Sequence, residues 1–331
     1  MVTDACTQPD LHLVAEQAKR LARGLGFDLA GIAPVSRSSR ADYFRRWLAD
    51  GRAGQMAYLS ERAEERIDPA KYLPGVRSAI CVAVNYNPPQ QPSPSGSSEG
   101  EPLGRVARYA RGVDYHGWIK DKLYALADWL RSVLPGVETV CGVDTVPVLE
   151  RELSARAGVG WIGKNTMLIN ERIGSWLFLG EVLTTADLPP DSPAPDRCGT
   201  CTRCIDACPT RAITAPYQLD ASRCISYLTI EHAGEIDPAL RPGMGDWVYG
   251  CDICQEVCPH NSRAPVAELL ELQPRVPSGL PLQRVLHWNK DDFDLAFRHT
   301  AVKRIRLPIL QRNASIALKN QQGGQRAEVQ A

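Results

Sequence analysis

The sequence predicts a layered α+β fold, α/β-like in the way its helices and strands alternate, joined to a cysteine-rich module and a short helical tail. Three observations lead there. Helical and strand patterns alternate over roughly the first 190 residues. A proline-rich break at 188–195 follows them, and eight of the 11 cysteines then crowd between Cys198 and Cys258. The 331 residues suffice for two or three domains with a core of their own. With 38 basic and 38 acidic side chains the formal charge is zero, so a nucleic-acid or membrane partner must use a local patch. Hydrophobic residues at 44% and charged residues at 23% exclude a disordered chain and a coiled coil. No apolar run approaches the roughly 18 residues that span a bilayer, so no membrane partner is expected. The start, Met-Val-Thr-Asp-Ala-Cys, lacks the features of a secretory signal, which places the chain in the cytoplasm. In that reducing compartment an odd count of crowded cysteines points to metal rather than disulfides.

Leu11, Val14, Ala18 and Leu21 recur at helical spacing, with Asp10 able to cap the start and Gly24 the end. Residues 27–35 read as a strand and 79–84 as a buried one, with Cys81 as a small core hydrophobe. Residues 88–102, poor in apolar groups, read as a surface loop. A long amphipathic helix follows at 115–134, then a strand at 137–143, a helix at 148–157, a strand at 176–183 and, near the other end, a helix at 301–318.

Cys198, Cys201, Cys204 and Cys208-Pro209 form C-x2-C-x2-C-x3-C-P, the bacterial ferredoxin run in which the fourth thiolate serves the other cluster. Cys251, Cys254 and Cys258-Pro259 repeat its end, with the leading cysteine moved upstream to Cys224. Crossed ligation assigns Cys198, Cys201, Cys204 and Cys258 to one 4Fe-4S cluster, and Cys208, Cys224, Cys251 and Cys254 to the second. Paired structural zinc sites are the bland alternative, although zinc has no need of a three-thiolate run followed by Cys-Pro. Cys6 and Cys141 read as ordinary residues.

Gly158-Val159-Gly160-Trp161-Ile162-Gly163 matches the dinucleotide fingerprint, but a helical segment precedes it where that fingerprint needs a strand. Gly163-Lys164-Asn165 nearly completes a P-loop, with Asn165 where Ser or Thr must meet magnesium. The plain reading is a glycine-rich turn packed against something flat. Asp144 sits at the end of a predicted strand, where α/β domains place ligand-contacting groups and where aspartate also caps turns. His116 reads as a helix-start residue. In the tail, Lys303, Arg304, Arg306 and Arg312 belong to a stretch holding seven basic and three acidic residues, a solvated helix face or a contact for nucleic-acid phosphates.

Taken together these motifs resemble the epoxyqueuosine reductase family, the cobalamin-dependent iron-sulfur enzymes that finish queuosine at the tRNA wobble position. The resemblance runs from about residue 10 to about 320 and rests on Arg108 to His116, Val143-Asp144-Thr145, Pro147 to Arg151, Gly160 to Thr166, Gly180 to Thr184, Cys224 to Glu231, Gly250 to Gln255 and both cysteine halves. It implies a nitroreductase-like cobalamin-binding domain at 1–188, a ferredoxin-like two-cluster domain at 189–262, and a small HEAT-like helical region at 263–331 that contacts tRNA through Lys303, Arg304, Arg306 and Arg312. It implies a substrate, tRNA with a GUN anticodon carrying epoxyqueuosine, and an external low-potential electron donor acting on a monomer. By the same resemblance Asp144 donates a proton, and Arg66, Asp144, Gly163, Asn165, Met167, Gly180, Ser226, Tyr227 and Gly250 hold cobalamin.

The chemistry agrees, since deoxygenating an epoxide needs a strongly reducing centre and an acid for the departing oxygen. The acid role expects Asp144 to be protonated in the complex, its pKa raised by burial against the apolar corrin face. The sequence lacks D-x-H-x-x-G, the motif by which many corrinoid proteins supply histidine to cobalt; Asp114-Tyr115-His116-Gly117 has other spacing. A corrinoid reductase of small molecules and a plain electron carrier are the competing readings. The basic tail and the absent export signal count against the first, and the 190 residues ahead of the cysteines against the second.

Overall fold

The computed structural model of the chain describes residues 9–89 and 100–329. Cys6 and most of the predicted 88–102 loop lie outside them.

The first helix, Leu11–Gly24, starts where Asp10 accepts a hydrogen bond from the His12 amide at 2.9 Å and buries Val14, Ala15, Ala18 and Ala22 on one face. It runs through Gly24, and the turn beyond is made by Gly26 at φ 102°. Four strands form the central sheet in the order Leu29–Pro34, Ser78–Asn85, Leu177–Thr184, Thr139–Gly142. Every neighbouring pair is antiparallel, in a register that sets Ile32 opposite Ile80, Val82 opposite Gly180, and Gly142 opposite Glu181. The alternation of helix and strand therefore builds a layered α+β sheet and no parallel βαβ units.

Strand periodicity of two gives the sheet two buried faces. Ile32, Ile80, Val82 and Val182 face the first helix and the long helix Tyr115–Val133, which buries Ile119, Leu123, Leu126 and Leu130 against them. Gly180 belongs to this face, where a Cβ would come 3.0 Å from Ile119 Cγ2. Ala33, Ala79, Cys81 and Leu183 point the other way, against Leu153 and Ala157 of the helix Glu150–Arg156. Lys19 reaches Asp191 Oδ1 at 2.7 Å while Oδ2 accepts from the Ile32 amide at 2.9 Å, so the proline-rich break is tied down to the sheet.

A second sheet joins the three regions of the chain. Leu103–Val106 pairs in parallel with Trp247–Tyr249 and antiparallel with Gly279–Pro281. One hydrophobic core accordingly takes in Val14, Leu123, Val248, Leu280 and Ala317. The predicted 301–318 helix is two pieces, a 3-10 turn Ala301–Arg304 and a helix Leu307–Val329. Pro308 explains the break, being tolerated in a first turn and not in a helix interior. Asn313, fully buried, donates to the carbonyls of Thr229 and Val248 at 2.9 Å, fastening this last helix to the cysteine-rich region.

Candidate active site and cluster cages

Asp144 follows the strand Thr139–Gly142 in a run of bends, at φ 48°, a left-handed backbone that aspartate tolerates better than most residues. The turn swings its carboxylate over the start of the long helix. Oδ2 accepts from the Tyr115 hydroxyl at 2.5 Å, and Oδ1 lies 2.9 Å from His116 Nε2. On the other side of the ring, His116 Nδ1 lies 2.5 Å from Asp114 Oδ1, and the same Asp114 oxygen caps the helix by accepting from the His116 amide. The hydrogen bonds to Asp114 and then to Asp144 raise the His116 pKa to about 9. At neutral pH both ring nitrogens therefore donate, and His116 links Asp114 to Asp144. Burial, and then the charge of Asp144, push the Tyr115 phenol far up, so it stays a neutral donor. His116 is more than the helix-start residue that its sequence position suggests; no local pattern could reveal a partner that sits 28 positions away in the chain.

Two cavities meet at Asp144. A cleft of about 410 Å³ is lined by Phe44, Trp47, Tyr58, Arg66, Val146 and Leu219 among others. A second cavity of about 280 Å³ is lined by Tyr115, Met167, Ser175 and Phe178. Asp144, Glu150 and Arg151 belong to both walls. Arg66 spends its guanidinium on the Tyr58 and Val146 carbonyls at 3.3 and 3.5 Å, and its Nε is buried with no hydrogen-bond partner. Behind Asp144 lie two more carboxyls. Glu150 is half-buried, and burial raises its pKa, with Arg151 opposing. Glu181, 1% exposed, is pushed well above the usual range by burial and then by the charges of Glu150 and Asp144. Its Oε1 has no partner and stands where a Cβ on Gly142 would lie 2.2 Å away, so only glycine fits that strand position.

The cysteines gather in the two crossed groups. Cys198, Cys201, Cys204 and Cys258 line one cavity together with Lys164, Asn165, Arg197, Arg203 and His260. Cys208, Cys224, Cys251 and Cys254 lie close enough that Cys254 feels the charges of the other three, beside that of Cys204 in the first group. Among the described residues no group of three or more His, Cys, Asp or Glu side chains is arranged to hold a single metal ion. Burial raises the thiols of Cys224, Cys251 and Cys254, so thiolates here call for a cationic group to bind them.

The glycine-rich turn is the hinge of this arrangement. A helix, Glu150–Arg156, leads into it, and the chain pairs Trp161–Ile162 with Leu168–Ile169 as a tight hairpin, so neither nucleotide motif has its required context. A Cβ on Gly160 would sit 2.3 Å from the Ile169 carbonyl oxygen. Gly163 and Asn165 lie in the turn itself, and Met167 beyond it reaches the second cavity. Asn165 is buried, and its Nδ2 lies 3.4 Å from the Cys254 carbonyl oxygen. Lys164 donates to the carbonyls of Gly199 and Cys201 at 2.6 and 2.9 Å.

The other sequence-predicted residues divide. Tyr227, buried on the helix Ile225–Ile230 beside half-buried Ser226, accepts from the Gln55 amide at 2.8 Å. Gly250 turns at φ 68° next to Cys251 and donates to Thr229 Oγ1 at 2.9 Å. These three surround the second cysteine group, whereas Gly180 lies in the sheet under the long helix and lines neither cavity. In the tail, Lys303 is paired with Asp294 and Arg304 with Glu231. Arg312 donates to the backbone carbonyls of Leu228, His232 and Gly234, so its guanidinium is a structural clamp and not a free surface cation. Arg306 remains exposed, with no ion pair among the described residues.

Comparison with known proteins agrees with this geometry. The family described as Epoxyqueuosine reductase QueG, DUF1730 matches residues 66–145, and the 4Fe-4S double cluster binding domain family matches residues 197–261. A curated epoxyqueuosine reductase of Gloeobacter violaceus is 42% identical over 315 residues, 92% of this chain and 95% of the relative. An epoxyqueuosine reductase solved with an epoxyqueuosine-modified tRNA-Tyr stem loop superposes with a TM-score of 0.85 at 32% identity, covering 94% of this chain and 82% of that one. Another, from Bacillus subtilis, has its catalytic aspartate loop swung out of the active site and superposes with a TM-score of 0.85 at 31% identity, with the same two coverages, 94% and 82%.

Proposed function

The chain belongs to the epoxyqueuosine reductase family of oxidoreductases, and from that premise we propose that it removes the epoxide oxygen of epoxyqueuosine at the wobble position of a GUN-anticodon tRNA, with Asp144 as proton donor. The observation that carries this reading is the meeting of Tyr115, His116 and Asp144 where two cavities join, beside two groups of four cysteines. The relative solved with a modified tRNA stem loop supports RNA as the substrate class. The relative with a swung-out aspartate loop supports a mobile acid, and Asp144 occupies a strained left-handed turn with an exposed carboxylate.

The reaction consumes two electrons and two protons: both C–O bonds of the epoxide break, a C=C bond forms between the two carbons, and the oxygen leaves as water. The two cysteine groups would hold 4Fe-4S clusters, which supply electrons one at a time. The two cavities fit cobalamin, being large, mainly aromatic and aliphatic, and provided with the unpartnered Arg66 Nε as a donor for a polar ligand edge. Cobalamin, when bound, supplies the strongly reducing cobalt that the C–O bonds require. Arg66 and Met167 wall its site, Gly163 and Asn165 hold the turn between site and clusters, and Ser226, Tyr227 and Gly250 frame the second cluster. His116 Nε2, 2.9 Å from Oδ1, passes its proton to Asp144, which delivers it to the departing oxygen, and solvent reprotonates the imidazole for the second proton. Tyr115 fixes the other carboxylate oxygen and so the direction of transfer.

In this reading residues 1–188 form the nitroreductase-like cobalamin unit, 189–262 the ferredoxin-like unit and 263–331 the HEAT-like tail. The protein works as a cytoplasmic monomer that takes electrons from an external low-potential donor. No described helix is long and apolar enough to cross a membrane. Anaerobic incubation of reconstituted protein, cobalamin and a strong reductant with an epoxyqueuosine-bearing stem loop tests it by nucleoside mass spectrometry. Queuosine is the expected product. Unchanged epoxyqueuosine, with both clusters and cobalamin loaded, would move the assignment to a corrinoid reductase of small molecules.

A further inference from the structure

The donor that feeds the clusters must dock where a cluster comes nearest the surface, and the two cysteine groups differ in this respect. Around the first group, Gly199, Thr200, Thr202, Arg203 and Pro259 are exposed. Around the second, Thr210, Ile225, Gly250, Asp252 and Gln255 are buried, and exposed Pro209 and Arg211 flank only Cys208. The second group also faces inward: Gln255, next to Cys254, accepts from the Ser175 hydroxyl at 2.8 Å, and Ser175 lines the cavity that holds Tyr115 and Phe178. Electrons arriving from outside therefore meet the Cys198–Cys201–Cys204–Cys258 group first and the Cys208–Cys224–Cys251–Cys254 group second.

The charge around the outer group is net positive. Its cavity is lined by Lys164, Arg197, Arg203 and His260, and by no carboxylate. Arg203 is exposed and has no ion pair among the described residues, and Arg172 and Arg263, close by in the chain to Glu171 and His260, are exposed likewise. Three acids lie nearby: Glu171 pairs with Arg197 at 3.1 Å, while Asp196, bound to the Tyr217 hydroxyl, and Asp206, accepting from the Thr202 hydroxyl at 2.7 Å, keep their charge, so the five cations Lys164, Arg172, Arg197, Arg203 and Arg263 exceed the carboxylates by two. In a chain of zero formal charge such a rim is a local choice.

We infer that this cationic rim over the first cysteine group is the docking face for an acidic one-electron carrier protein. The inference rests on the two-cluster reading of the function. Carrier complexes of this kind are small and transient, so steering by opposite charge sets their rate more than buried area does. Lys164 takes part twice, holding the carbonyls of Gly199 and Cys201 in the docking loop and carrying the turn that leads to Asn165 and Cys254.

Stopped-flow reduction of the cluster-loaded protein by a reduced flavodoxin, followed at the cluster absorption band, tests this, with the methyl viologen radical cation as a cationic reference reductant. For wild type the flavodoxin rate should fall at least about tenfold between about 10 mM and about 1 M salt, as the screening length shrinks from roughly 30 Å to roughly 3 Å, while the viologen rate does not fall. At low salt Arg263→Glu should lose about tenfold with flavodoxin and nothing with viologen, and Arg263→Lys should recover most of the loss. A flavodoxin rate indifferent to salt in the wild type overturns the inference even if every variant misfolds. So does an Arg263→Glu protein that keeps the wild-type flavodoxin rate but binds the tRNA stem loop more weakly, which would give the rim to RNA. Absence of cluster absorption, or of an electron paramagnetic resonance signal after reduction, in the wild type would instead sink the two-cluster reading itself.

Discussion

His116 has the most to say at the scale of single residues, because its charge is set by neighbours and not by the solvent. Its pKa of about 9 exceeds the usual 6.5, so the folded protein holds this proton more tightly than the unfolded chain. The stabilisation is therefore complete below about pH 6.5 and is lost as pH rises through about 9. Turnover that draws on the same proton should show an alkaline limb near pH 9 in the wild type. His116→Gln, which keeps a donor and cannot be cationic, should abolish that limb and lower kcat by about 10²-fold, the usual worth of a placed acid. Stem-loop KM should hardly move; a variant profile that still falls near pH 9 would assign the limb elsewhere. Two tail arginines make a second contrast. Arg312→Ala strips three backbone carbonyls of their donor and should cost roughly 1–3 kcal/mol in urea unfolding with no change in RNA affinity. Arg306→Glu, exposed and unpaired, should do the reverse, weakening RNA binding at unchanged stability.

At the scale of elements, the hairpin Trp161–Ile162 with Leu168–Ile169 is held in a tightly constrained shape. Gly160→Ala would press a methyl group to 2.3 Å from the Ile169 carbonyl oxygen, and backbone cannot step aside as a flexible side chain can. The expected cost is roughly 1–3 kcal/mol, read as a lower urea midpoint at unchanged m-value, and a midpoint within error of wild type would mean the hairpin opens freely. The hairpin also shows what a sequence can and cannot disclose. Its glycines were legible as a packed turn because the preceding segment had helical periodicity. The first helix and the central strands were legible for the same reason, since periodic burial against a sheet leaves a local imprint at Val14, Ala18, Ile80 and Val182. The gathering of Cys258 with Cys198, Cys201 and Cys204 was legible because thiolate spacing is itself geometric. The Asp114–His116–Asp144 chain was not, because it forms only when a turn after one strand passes over the start of a helix. Nor was the fate of the tail cations, since Arg312 looks like a surface charge until Leu228, His232 and Gly234 are folded against it.

Seen as a whole molecule, the chain interleaves its regions instead of stringing them together. The strand Leu103–Val106 lies between strands contributed by the cysteine-rich region and the tail, and Asn313 of the last helix bonds Thr229 and Val248. Each cysteine group takes three members from one part of the module and one from the other, so a cluster bound there would staple segments that are far apart in sequence. Loading should therefore act on the global stability, since groups that bind only the folded state add their binding free energy to folding. Cys258→Ser should leave about half of the iron, with the second cluster's electron paramagnetic resonance signal retained, because only the first group loses a ligand. Its melting should fall as one transition, coincident by tryptophan fluorescence and far-ultraviolet circular dichroism, because Trp176 in the first region and Trp247 in the second report on packing that continues through Tyr249 into the shared core. Stripping both clusters with an iron chelator should lower the melting temperature further, again without splitting the transition. Two separated transitions, the upper one unmoved by iron loss, would show that the central sheet and its helices stand alone and that the shared strands add no cooperativity.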